Sequence, residues 1–246
     1  MYKSSIFTES LLPIIFSLIG LIFAGEILDL IQNWQLFLSD PELFILVPIL
    51  LGLKGNLETC LSARLCTCAN LGQLDSNNKK DDLSIYKIFT NCIASVSGSS
   101  TSQRWDILFG NFAVTQVQSL TIGFVAGIWS CILGSTGSLD KLALVACIGS
   151  ICASISSGIL SVFMSWAIIT CKQRGLDPDN IAIPIAASLG DLLIVFGLAL
   201  CGEAYGLVSF LDRYLPTVIL FICFIMAYFW LVVVNKNKVC LINSSL

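Results

Sequence analysis

Long apolar runs separated by short polar stretches dominate the chain. Six of them, at about 11–31, 43–65, 108–134, 141–171, 181–205 and 214–234, are long enough to cross a bilayer, since a helix rises about 1.5 Å per residue through a hydrocarbon core about 30 Å thick. The pattern predicts an all-α integral membrane fold with about six transmembrane helices. The runs differ in texture. The sixth is uncharged and bulky all round, with Pro216 in its first turn where a missing N–H costs little, and should be peripheral and face lipid. In the fourth, Ala146, Ser150, Ala153, Ser157 and Ser161 make a stripe of small side chains, and Gly123 and Gly127 repeat the device in the third. Small stripes let helix backbones approach closely, so these are expected to be packing faces.

The second and fifth runs are interrupted in a way that simple anchors are not. The second holds Pro48, Gly52, Lys54, Gly55, Asn56 and Glu58, which weaken a helix and place charge where it is costly. Lys54 and Glu58 are four apart and share a face, so they can neutralise each other; the pair is either a buried brace or a direct ion contact. The fifth follows Asp177-Pro178-Asp179-Asn180 and runs through Pro184 to Gly190-Asp191. Pro184 has no N–H, which leaves the carbonyl near Asn180 without its usual donor. Asp191 falls near mid-span with no basic residue one turn away on its own helix, and a lone carboxylate there costs about 2.5–3.5 kcal/mol on insertion scales. A functional role is the default expectation.

Basic residues give the orientation, because they accumulate on the cytoplasmic side. With the N-terminus inside, Lys3, Arg64, Lys79, Lys80, Lys87, Arg104, Lys172, Arg174, Lys236 and Lys238 all fall inside, and only Lys141 and Arg213 outside. Both termini are therefore expected in the cytoplasm, where the sequon at Asn243 receives no glycan. Met1 to Glu9 lacks the pattern of a cleaved signal. The inner stretch 66–107 reads as a polar connector, with a short surface helix conceivable over Leu83 to Val96.

Composition narrows the chemistry. Of 246 residues, 56% are hydrophobic and 12% charged, with a mean hydropathy of +0.88, so the expected partners are lipid, ions and other helices. The net charge of −3 and the absence of a basic cluster argue against nucleic acid. Most of the eleven cysteines sit in apolar runs as small hydrophobes, and Cys66-Thr67-Cys68 is not a zinc pattern. There is no histidine, which removes the commonest general base and most hydrolase mechanisms. Gly190-Asp191 has no second mid-span aspartate to make a protease dyad, so an enzyme is not expected. What remains are hard oxygen ligands, suited to Mg2+, Ca2+ or Mn2+, and these residues do not choose among the three.

Several motifs resemble one family. Ala24-Gly25-Glu26-Ile27-Leu28-Asp29, the stretch Leu46-Val47-Pro48 through Lys54-Gly55-Asn56-Leu57-Glu58, and Asp177-Pro178-Asp179-Asn180 through Pro184 to Ser188-Leu189-Gly190-Asp191 are similar to the MgtE-type magnesium transporters and their animal relatives, solute carrier family 41. Asn111, Gln116 and Gln118 fit the same pattern. The resemblance implies an N-terminal segment 1–10, a five-helix transporter domain 11–205 with a cytoplasmic loop 66–107, a connecting helix at 206–236 and a cytoplasmic tail 237–246. It implies Mg2+ as the transported ion, with Mn2+ or Ca2+ as alternatives and no organic cofactor. By the resemblance Asp191 would be the pore carboxylate, Asp177 the acidic residue at the inner mouth and Gly55-Asn56 the signature turn; the expected ion pathway also includes Asp179, Asn180, Ala187 and Ser188, with Pro48, Pro184, Gly55, Lys54 and Glu58 structural or gating.

Animal members carry two such repeats and bacterial members pair as homodimers, so this one-repeat chain is expected to pair about a two-fold axis. The polar faces of the second and fifth spans, lacking an intrachain partner, would then meet their mates, and cysteines at Ala187 or Ser188 would cross-link two chains. The alternative is a non-conducting half-length subunit that modulates a full-length relative. The plasma membrane is preferred to an organelle membrane.

Overall fold

A computed structural model describes residues 6–74, 103–135, 138–208 and 214–236. These form α1 (Ile6–Ile31), α2 (Gln35–Ser39), α3 (Glu42–Asn70), α4 (Gln103–Leu133), α5 (Leu139–Gln173), α6 (Pro178–Val208) and α7 (Leu215–Lys236). All but α2 are long and apolar enough to span a membrane, so the six expected spans are present. Their ends differ from the sequence reading. The second span runs on to Asn70, the third begins at Gln103, and both absorb turns that had been assigned to the polar connector. The short α2, tied down by buried Phe37, was not expected. The proposed helix over Leu83 to Val96 and the sequon lie outside the described residues.

The long α5 is the hub, touching α3, α4, α6 and α7, while α1 lies along α6. Small residues explain the closest crossing. A Cβ added at Gly149 would sit 2.7 Å from the Gly123 carbonyl oxygen, and one at Gly127 would sit 3.0 Å from the Ala146 Cβ, so the α4 and α5 backbones touch where the sequence places its small stripes. The sixth span behaves as its texture predicts. Most of the α7 surface is exposed, and aromatic contacts hold it to α4: Trp230 meets Phe112 at a ring-centroid distance of 5.4 Å, and Phe124 meets Phe224 at 4.9 Å.

Two apolar clusters fill the bundle. One, which includes Leu46, Leu50, Cys152, Ala153, Ile194 and Leu198, occupies the half nearer the start of α3. The other, which includes Leu61, Leu65, Leu160, Met164, Ala182 and Ala186, occupies the opposite half. On α3, α5 and α6 the two clusters stop short of each other, and the intervening turns carry the buried polar side chains Lys54, Glu58, Ser156, Ser157 and Ser188. On α4 the corresponding stretch supplies Thr115, Gln116 and Ser119. A polar layer thus cuts across the middle of an otherwise apolar bundle.

Candidate ion site

The centre of the polar layer is an ion pair. Lys54 Nζ donates to Glu58 Oε1, and both side chains are 0% exposed. Spacing accounts for the local geometry, since residues four apart on a helix stack on one face. The room for the carboxylate is on α6: a Cβ at Gly190 would lie 2.5 Å from Glu58 Cδ, so glycine leaves space that any other residue would fill. The next residue is the half-buried Asp191. Lys54 and Glu58 both lie within electrostatic reach of Asp191. The basic residue closest in the electrostatics of Asp191 thus belongs to α3 and not to its own helix, which helical periodicity does not reveal.

This arrangement corrects a second expectation. The polar faces of the second and fifth spans do have an intrachain partner, namely each other, along the contact of α3 with α6. It also corrects the placement of Ser188. That side chain is 4% exposed, faces Gly20 of α1 with a notional Gly20 Cβ 3.2 Å away, and donates to the Pro184 and Ile185 carbonyls at 3.3 Å. Within this chain α1 therefore covers it.

Asn180, Pro184, Ala187 and Asp191 recur at helical spacing on one side of α6, all partly exposed. Pro48, Gly52 and Asn56 are exposed on α3, and a Cβ at Gly52 or Gly55 would meet nothing within 4 Å. A small, polar, uncovered face is unlike the bulky lipid-facing surface of α7. Beside it, a groove of about 510 Å3 between α3 and α4 is lined by residues that include Asn56, Cys60, Arg64, Gln118 and Thr121. Arg64 donates to Asn111 at 3.5 Å, while Gln116 accepts a 2.7 Å bond from Ser154.

At the start of α6, Asp177 accepts from the Asp179 backbone N–H at 3.2 Å, as a helix cap does, with Pro178 at the first helical position. Asp179 accepts from Asn70 at the end of α3 at 3.1 Å, tying the two helix ends together. In the sequence these residues show only as charges at a helix start, because a tie between residues 70 and 179 leaves no local signal.

Residues 47–201, from the first turns of α3 to near the end of α6, match the family of MgtE divalent cation transporters. The chain belongs to that family. Relatives of this MgtE-family chain include solute carrier family 41 member 2 of Xenopus laevis, 36% identical over 93% of the chain and 37% of that protein. The human member 2 is 36% identical over 84% of the chain and 32% of its own length, and member 3 of Rattus norvegicus is 33% identical over 92% and 44%. The chain thus spans about a third to less than half of the length of the curated relatives it matches. No solved structure matches it. A multi-pass integral membrane protein of a divalent cation transporter family is what the six spans and the family together establish.

Proposed function

We propose that this MgtE-family domain, paired with a second such repeat, forms a transmembrane pathway for Mg2+ lined by α3 and α6. The observation that carries the reading is Asp191, a half-buried carboxylate in the polar layer on the same side of α6 as Asn180, Pro184 and Ala187. Mg2+ sheds its water reluctantly, so one carboxylate per repeat among carbonyls, with several waters retained, suits it. Asn56 and Gly55 supply the facing wall, and Asp177 and Asp179 concentrate cations at the inner mouth. Pairing of two copies as a homodimer brings a second Asp191 and offers the uncovered small-residue face of α3 a partner. The protein works as a transporter without an organic cofactor or a catalytic step, in the plasma membrane, with both termini in the cytoplasm.

Mg2+ flux into proteoliposomes containing only this chain tests the reading. Flux should be present, and Asp191→Asn should lower it at least about a hundredfold at normal expression, because it removes the carboxylate that binds the permeating cation in the membrane. Flux that persists in Asp191→Asn would overturn the role of that residue. Flux that requires co-reconstitution with a longer relative would instead make this chain a modulating partner.

A further inference from the structure

The polar layer contains one ammonium and two carboxylates on α3 and α6. Lys54 is fully enclosed and bonded to one oxygen of Glu58. The other oxygen, Oε2, has no hydrogen-bond partner among the described residues and faces the Gly190 backbone, one residue from Asp191. Lys54 also lies within electrostatic reach of Asp191. A lysine has three N–H donors on a flexible four-carbon stem, so its ammonium can divide its attraction between two carboxylates. It is a cation that can be shared but cannot leave.

We propose that Lys54 is a tethered competitor for Asp191, divided between that carboxylate and Glu58, and that it thereby sets the preference for divalent over monovalent cations. The inference rests on Asp191 being the ion ligand. In a low-dielectric layer, attraction scales with the product of the charges. A monovalent ion arriving at Asp191 replaces one unit charge by another and surrenders hydration for no net gain. A divalent ion doubles the attraction to Asp191 and pushes the ammonium fully onto Glu58, whose spare oxygen accepts it. Glu58 is then the parking place that frees the site, and Lys54 is a positioning residue that never touches the cargo.

The two residues therefore predict opposite single effects that cancel. Glu58→Gln removes the parking place, leaves Lys54 on Asp191, and should raise the Mg2+ concentration for half-maximal flux by about tenfold or more. Adding Lys54→Met to that variant should reverse the loss and let Na+ block Mg2+ flux at concentrations at least about tenfold lower than in the unaltered chain. The double variant keeps the same net charge in the layer and removes both fully enclosed ions together, leaving only the half-buried Asp191 charged, so it tests the tether without stranding either member of the Lys54–Glu58 pair. If Glu58→Gln lost flux and Lys54→Met failed to rescue it, Glu58 would be a ligand or a brace and the tether would be wrong. Unchanged Na+ block in a conducting double variant would overturn it equally. Should the variants not reach the membrane, the unaltered chain still decides, since block by Na+ at concentrations equal to Mg2+ is incompatible with a tethered competitor. Mg2+ flux that survives Asp191→Asn would instead sink the underlying assignment of the ion ligand.

Discussion

At the residue scale, the site depends on a side chain that is absent. Gly190 gives Glu58 a place against the α6 backbone, where any Cβ would overlap the carboxylate. Gly190→Ala therefore cannot be relieved by a rotamer change of its own, and Glu58 must withdraw from its seat beside Asp191. The expected outcome is loss of most Mg2+ flux and a destabilisation of about 1–3 kcal/mol, as for other overpacked cores, measured by thermal unfolding in detergent. Gly190→Ala with normal flux and normal stability would mean that the seat of Glu58 is unimportant. Lys54, Glu58 and Asp191 together also explain why charge survives at this depth: each carboxylate is near an ammonium, and a buried pair is tolerated where a single buried ion is not.

The helices themselves fall into two kinds, distinguished by what their glycines face. Gly123, Gly127 and Gly149 mark the α4–α5 crossing, where backbone meets backbone, whereas Gly52 and Gly55 of α3 face open space. Substitution should separate the two. Gly149→Val should destabilise the bundle by about 2 kcal/mol or more, since the opposing Gly123 carbonyl cannot move without displacing its helix. Gly52→Ala should leave the melting temperature of the isolated chain unchanged or slightly raised, alanine being the better helix former by about 1 kcal/mol. A melting temperature lowered by Gly52→Ala as much as by Gly149→Val would show that the α3 face is already covered within one chain.

For the molecule as a whole, the open face of α3 and the exposed side of α6 make pairing the issue. A cysteine at Gly52, in a chain whose exposed Cys60 is replaced by serine, should cross-link two copies in the membrane. One at Ser188 should not, because α1 covers it. Cross-linking at Ser188 without cross-linking at Gly52 would refute this pairing geometry. Orientation is a separate matter. Tags at either end should resist membrane-impermeant reagents on intact cells, and labelling of either one would reverse the inside assignment drawn from the basic residues.

The sequence by itself determined the spans, their number and their characters, because membrane helices must satisfy their own backbone and carry apolar side chains over a fixed length. Its motifs also led to the family, and its small stripes marked packing faces on α4 and α5, since these are properties of one helix read at helical spacing. The Lys54–Glu58 pair was legible for the same reason. The placing of Asp191 within electrostatic reach of Lys54, the seat at Gly190, the enclosure of Ser188 by α1 and the tie between Asn70 and Asp179 were decided only by the tertiary structure. Each joins residues far apart in the chain, and periodicity along one helix says which side chains share a face but not which neighbouring helix that face will meet.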